Sequence, residues 1–326
     1  MNDQDWMEQA LLLAENGKIT APPNPWVGCV IVKNGIKIGS GWHIEPGTAH
    51  AEIHALNQAK ENAAGSDIFI TLEPCSHHGR TPPCVDALIK ARPRRVIVGI
   101  SDPDPNVSGK GLALLQKSGI TLVTGVLEEK IKASLTPYLH HRKTGRPFCI
   151  AKAAISVDGK IGAQDGSSKW ISGEEARSDA HRMRGESQAI IVGSSTFLQD
   201  RPQLTARGIQ TSRQPMRVVL DRTGRIGDDE ADWVARDSSL EEVLRELGKR
   251  GVLQVLVEGG GKVLGSFLEK NLIDRLVLYV GPCILGDQGI PLFQGLNIET
   301  ISQKLKLNLN KNITLGDTVR LEYVMC

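Results

Sequence analysis

Three residues limit the first half of this chain more than any other feature: His50, Cys75 and Cys84. One imidazole and two thiolates are ligands of the softness that zinc prefers. A fold can use them together only if it brings residues 50, 75 and 84 to one point. The motif reads His50-Ala51-Glu52, then Glu73-Pro74-Cys75, then Pro83-Cys84, with eight residues between the two cysteines. Residues 50–64 predict a helix that starts at the histidine and is closed by Gly65. The stretch 75–83 is too rich in Gly and Pro to be regular. Cys84 then opens a second helix, whose positive end favours a thiolate. A structural zinc site closes its fourth position with another Cys or His, whereas a catalytic one leaves it open for water. His54, one helical turn from His50, and His77 and His78 in the loop could each close the site. His77 is the better expectation for a substrate contact. An open corner leaves Glu52 to move protons, next to a water whose pKa zinc lowers from about 15.7 to about 7.

The pattern H-x-E followed by P-C-x-x-C is the signature of zinc-dependent nucleobase deaminases. Here the second cysteine comes later than that signature has it. The surroundings predict an α/β unit. Residues 5–16 read as a helix stopped by Gly17, and Pro22-Pro23-Asn24-Pro25 as a stiff loop. Strands are expected at 27–32 and 36–42 around Asn34-Gly35, a strong hairpin signal. Strands at 67–72, 95–100 and 120–125 alternate with a helix at 109–118, which implies a sheet with helices on both faces. Residues 128–142 read as helix broken at Pro137. The boundary expected at 144–147 gives domains of 1–145 and 146–326.

Charge excludes one class of partner. The chain has 39 basic and 37 acidic residues, a net charge of +2, which offers no basic face for nucleic acid. No run of eighteen apolar residues suggests a membrane span, and the first residues do not read as a signal peptide. A cytoplasmic protein is expected. Cys29, Cys149, Cys283 and Cys326 then read as plain thiols, because disulfides are rare in that compartment.

The second half starts a new alternation. Strands are expected at 148–154, 189–192, 216–220, 254–257, 275–280 and 319–324. Helices are expected at 174–184, capped by Ser172, and at 240–249. A Gly- and Ser-rich loop spans 156–172 and carries Trp170. A tight turn is expected at Gly193-Ser194-Ser195-Thr196. Gly259-Gly260-Gly261 follows a buried-type strand and precedes an apolar helix. Such a turn lets backbone N–H groups approach a pyrophosphate, although it is not the G-x-G-x-x-G fingerprint. Lys152 sits within an apolar strand, where a lysine is either paired or functional.

Longer matches go beyond these local signals. Asn24-Pro25-x-Val27-Gly28, the His50 motif and Thr71-Leu72-Glu73-Pro74-Cys75-Ser76-His77-x-Gly79-x-Thr81-Pro82-Pro83-Cys84 resemble the deaminase half of the bacterial bifunctional riboflavin-biosynthesis deaminase/reductase family. Lys152-Ala-Ala-x-Ser-x-Asp158-Gly159-Lys160-Ile161, Ser168-Lys169-Trp170-Ile171 and Val257-Glu258-Gly259-Gly260 resemble its reductase half. The resemblance implies a cytidine-deaminase-like three-layer domain followed by a dihydrofolate-reductase-like α/β domain. It implies deamination of a diamino-(ribosylamino)pyrimidinone 5′-phosphate, a small pyrimidine ribotide. NADPH-dependent reduction of the ribosyl group to ribityl follows. Glu52 and Lys152 would be the catalytic residues, with His50, Cys75 and Cys84 on Zn2+. Asn24, His43, His77, Arg80 and Asp102 would meet the substrate in the first domain. Ser168, Arg184, Leu204, Arg207 and Glu258 would meet it in the second. NADPH would lie on Ala154, Trp170, Thr196, Asp200 and the turn Gly260, Gly261, Lys262, Val263, Leu264, Gly265 and Ser266. A homo-oligomer through the second domain is the expected assembly.

Three positions depart from the family pattern. Arg80 stands where Lys is frequent, and either side chain could hold the substrate phosphate; Asp104 stands where Asn is common; and the interval between 221 and 258 is shortened. The alternatives are a deaminase with an inactive reductase-like domain, a cytidine or tRNA-base deaminase, and a non-catalytic protein whose zinc is closed by four protein ligands.

Overall fold

The computed structural model describes residues 1–77, 82–104, 107–211 and 213–325. His78, Arg80 and Cys326 lie outside the described residues. The chain divides into two compact units, Met1–Gly145 and Arg146–Cys326.

The first unit runs α1 (Asp3–Glu15), β1 (Gly28–Lys33), β2 (Ile36–Trp42), α2 (Ala51–Ala59), β3 (Asp67–Leu72), α3 (Cys84–Ala91), β4 (Arg95–Ile100), α4 (Lys110–Lys117), β5 (Thr121–Thr124), α5 (Glu128–Ser134) and α6 (Thr136–Thr144). Its five strands lie in the order β2-β1-β3-β4-β5. The expected hairpin forms, with Asn34 at φ 53° and Gly35 at φ 74°, the left-handed pair that a two-residue turn needs. β1 is antiparallel to β2 and β3, whereas β3, β4 and β5 run parallel. Alternate strand residues build the two faces. Cys29, Ile31, Ile68, Ile70, Val96 and Val98 pack under Ala51, Ala55, Val85, Leu88 and Leu115 of α2, α3 and α4. On the other face α1 lies so close that a Cβ on Gly28 would strike the Ala10 backbone, and Ile131 of α5 covers Gly99. These are the three layers.

Two details differ from the sequence reading. α2 stops at Ala59, and a 3-10 turn, Lys60–Ala63, replaces the rest of the helix expected to Ala64. Lys60 adopts a left-handed φ of 51°, so the α-helical ladder cannot continue through it. The helix expected over 128–142 is two helices, and Pro137 falls in the first turn of α6, where its missing N–H costs nothing.

The second unit runs β6 (Phe148–Ile155), β7 (Lys160–Gly162), α7 (Glu174–Glu186), β8 (Ala189–Gly193), α8 (Ser194–Asp200), β9 (Met216–Leu220), β10 (Trp233–Ala235), α9 (Leu240–Lys249), β11 (Gln254–Val257), α10 (Gly261–Glu269), β12 (Arg275–Val280), β13 (Ile290–Pro291), β14 (Leu307–Leu315) and β15 (Thr318–Met325). Eight strands form one sheet, β10-β9-β8-β11-β6-β12-β15-β14. It is parallel from β10 to β12, with β15 and β14 added antiparallel. Every residue of β8 and of β11 is buried, as expected where helices cover both faces. α9 starts on a capping box of Ser239 and Glu242.

Here too the structure differs in places. The cap of α7 is Gly173 and not Ser172. The turn expected at 193–196 is the start of α8. The interval between Asp221 and Glu258 holds the three-residue edge strand β10 besides α9 and β11. β7, β13 and β14 were not expected.

Candidate active sites

All the chemistry-bearing residues of the first unit gather at one end of its sheet. Asn24 precedes β1, His43 follows β2, Glu73 and Cys75 follow β3, and Asp102 and Asp104 follow β4. His50 and Cys84 stand at the starts of α2 and α3. The strand directions make this inevitable, since β1 enters where β2, β3 and β4 leave.

The three expected ligands converge. The donor atoms of His50, Cys75 and Cys84 lie within 4.8 Å of one another. His50 Nδ1 is 3.1 Å from Cys84 Sγ and 3.5 Å from Cys75 Sγ. Zinc–sulfur and zinc–nitrogen bonds of about 2.3 and 2.0 Å put neighbouring donors of a tetrahedral shell roughly 3.5–3.8 Å apart. The three side chains therefore fit that metal. The Cys84 N–H also donates to Cys75 Sγ at 3.3 Å. Hydrogen bonding from Cys84, then from His50, holds the Cys75 thiol well below the ordinary cysteine range. Among the described residues no fourth Cys, His or carboxylate joins the cluster.

Glu52 is only 3% exposed yet lines the cavity beside the cluster. Burial, then the negative Cys75, raises its carboxyl above the usual range. The cavity measures about 350 Å³ and is lined by Asn24, His43, His50, Glu52, Cys75, His77, Asp102, Asp104, Tyr138 and Arg142, among others. Asn24 Nδ2 lies 3.0 Å from His43 Nε2, while His43 Nδ1 faces the Ala49 carbonyl at 3.3 Å. Buried Asp102 accepts the Tyr138 hydroxyl on both oxygens at 3.0 Å, and burial raises its carboxyl. Glu73, despite its place in the motif, turns to the start of α4. It accepts N–H groups of Gly109 at 3.0 Å and Gly111 at 3.1 Å. Tyr138 and Arg142 were missed by the sequence reading, because nothing local marks α6 as a cavity wall.

In the second unit Lys152, Arg184 and Glu258 meet. Arg184 donates to both Glu258 oxygens, at 2.7 and 2.8 Å, and Lys152 Nζ is 3.6 Å from Oε2. Burial would raise the Glu258 carboxyl, but Lys152 and Arg184 outweigh it and hold it down to about 2. Lys152 Nζ also lies 5.7 Å from the Tyr279 ring centre. The Tyr279 hydroxyl donates to Asp179 at 2.7 Å, and Arg320 approaches the same oxygen at 2.6 Å. That relay had no signal in the sequence, since its members come from α7, β12 and β15.

The remaining expected residues are placed as follows. Leu204 is buried, and exposed Arg207 donates its backbone N–H to His181 Nδ1 at 3.3 Å. Ser168 and Ala154 are half-buried. Trp170 is 69% exposed, with the Arg177 guanidinium 4.5 Å above its ring. Gly260 caps α10, and the Thr196 hydroxyl lies 3.4 Å from where a Gly260 Cβ would stand. A glycine there keeps the helix start open to a phosphate, so the turn fits a dinucleotide. Lys262 and Ser266 are exposed, as is Asp200, and Val263 is half-buried. Leu264 points into the core, and Gly261 and Gly265 pack α10 against the backbone of Pro291 and Gln294.

The comparisons with known proteins decide the family. The profile of the cytidine and deoxycytidylate deaminase zinc-binding region matches residues 1–100. The profile of the RibD C-terminal domain matches residues 147–321, more than half of the chain. The chain belongs to the RibD family. The riboflavin biosynthesis protein RibD of Chlamydia muridarum is 42% identical over 97% of this chain and 94% of its own length. That of Escherichia coli is 37% identical over 99% and 100%. The solved RibD of Acinetobacter baumannii superposes with a TM-score of 0.94 at 36% identity, covering 99% of each chain. A Thermotoga maritima structure, described as a diaminohydroxyphosphoribosylaminopyrimidine deaminase and 5-amino-6-(5-phosphoribosylamino)uracil reductase, gives 0.91 at 34% identity, again over 99% of each chain. RibD proteins thus join a deaminase to a reductase in riboflavin biosynthesis, and both halves are present here. The Chlamydia alignment runs over 351 positions, more than the 326 residues of this chain, so that relative carries residues with no counterpart here.

Proposed function

We propose that residues 1–145 deaminate the diamino-(ribosylamino)pyrimidinone 5′-phosphate and that residues 146–326 reduce the ribosyl group of the product with NADPH. The observation that carries the deaminase reading is the convergence of three zinc donors beside a buried glutamate in one cavity. Zinc, held by His50, Cys75 and Cys84, supplies an acidified water. Glu52 takes a proton from the attacking water and returns it to the departing amine. Its burial beside the cavity suits both steps, because desolvation moves a carboxyl toward the working pH, where a proton carrier is most effective. Asn24, His43, His77 and Asp102 hold the pyrimidine, and Arg80 contributes from outside the described residues. The lining of the cavity supports this, since it offers donors and acceptors for a ring's polar edge.

In the second unit the nicotinamide of NADPH supplies the hydride. Ala154, Trp170, Thr196, Asp200 and the turn from Gly260 to Ser266 hold the coenzyme, Leu264 and Gly265 through backbone only. Ser168, Arg184, Leu204, Arg207 and Glu258 hold the substrate. Lys152 orients the ribose chain, and Glu258 fixes the lysine. The protein acts on a small molecule, and a cytoplasmic homo-oligomer joined through the second unit fits this reading. Among the described residues no helix is long and apolar enough to cross a membrane.

One assay tests both halves. Purified protein is given the diaminopyrimidinone phosphate, and ammonia release and NADPH absorbance are followed separately. Lys152→Ala should keep ammonia release near wild type and slow NADPH oxidation by at least about tenfold, the effect of losing one charge-assisted contact. Equal loss of both signals would show that the two activities do not divide as proposed.

A further inference from the structure

The deaminase cavity is lined by the carboxyl groups of Glu52, Asp102 and Asp104, while that of Glu73 beside them turns to the start of α4. Among the described residues, Arg142 is the only lysine or arginine on its wall. A phosphate ester brought into such a cavity meets net repulsion unless a cation receives it. Arg142 is held for that task. Its Nε lies 3.3 Å from Asp104 Oδ2, and its guanidinium carbon sits 4.9 Å from the Tyr138 ring centre. Tyr138 and Arg142 are four residues apart on α6 and so share a face. The Tyr138 hydroxyl is anchored on Asp102, whose carboxylate also accepts the Asp104 N–H at 2.9 Å. Asp102, Tyr138, Arg142 and Asp104 thus form a closed ring of contacts that fixes the guanidinium. One ion pair, one ring contact and the 3.2 Å approach of Nη1 to His141 Nδ1 do not exhaust its five donors.

We propose that Arg142 receives the phosphate of the deaminase substrate and that Asp104 positions it. The proposal rests on the deaminase reading above. It accounts for the aspartate at 104, where the family pattern has asparagine. An ionised Asp cannot donate to a substrate, but it can hold a residue that does.

The test compares the phosphorylated pyrimidine substrate with its dephosphorylated riboside. Arg142→Met should raise KM for the phosphorylated substrate about 10- to 100-fold, the value of hydrogen bonds to a charged group. The kcat and the riboside kinetics should stay near wild type. Arg142→Lys should recover part of the loss, because it keeps the charge without the fork; it also carries the test if the Met variant does not fold. An unchanged ratio of the two KM values in Arg142→Met overturns the proposal, as does an equal rise for both substrates. Arg80→Ala is run alongside; loss of phosphate discrimination there, with none in Arg142→Met, gives the role to Arg80. Calorimetry with ribose 5-phosphate on the zinc-loaded protein reads the same contact without turnover. Weaker binding by Arg142→Met supports the proposal and equal binding overturns it. If the wild type releases no ammonia, the deaminase reading fails, while calorimetry still decides Arg142.

Discussion

Cys84→Ala is expected to cost the protein its metal and its ammonia release together. With Cys84 gone, the described cluster keeps only His50 and Cys75. Two side chains do not make a zinc site that survives dilution, whereas three donors and a water do. Metal content should fall from about one zinc per chain to near background. Ammonia release should fall to the level of the metal-free protein. Cys29→Ser is the matched control, since Cys29 is a fully buried thiol in the core under α2 and belongs to no donor cluster. It should keep its zinc, though burying a hydroxyl there lowers stability. NADPH oxidation should persist in Cys84→Ala when the deaminated intermediate is supplied. Elemental analysis with both assays reads all of this; full ammonia release from a zinc-free Cys84→Ala protein would contradict it.

Glu52→Gln separates the metal from the proton. Glu52 is not among the three donors, so its amide variant should bind zinc as the wild type does. The amide keeps the shape of a side chain that is almost wholly buried, so the fold should hold. What it loses is a group that can accept a proton. General acid–base catalysis contributes about 10²- to 10⁴-fold, and Glu52 serves in both proton transfers. The kcat for ammonia release should therefore fall by at least about 10³-fold with zinc content unchanged. Turnover within tenfold of wild type would remove Glu52 as the proton carrier.

The residues that bear chemistry were legible where short-range spacing marks them. His50, Cys75 and Cys84 stand out because few other roles call for that trio beside helix starts and a glutamate. Strands such as β3 and β8 showed as apolar runs, because strands covered on both faces have no polar side to alternate with. What could not be read depends on contacts distant in sequence. Glu73 sits two residues from the ligand Cys75, yet its carboxylate caps backbone N–H groups at 109–112. Tyr138 and Arg142 reach the cavity only because α6 lies beside residues 102–104. β14 alternates Leu307, Leu309 and Ile313 with polar residues, but it is an exposed edge rich in Asn, so its apolar content is too thin to announce a strand. β7 and β13 are two to three residues each, below the length at which periodicity carries information.

X-ray absorption at the zinc edge of the fully loaded wild-type protein bears most directly on the central claim. The expected first shell has one nitrogen and two sulfurs from side chains, with the remaining position taken by a light atom that exchanges with solvent or an added anion. A second histidine nitrogen or a third sulfur filling that position would make the metal a structural clasp and would contradict the account.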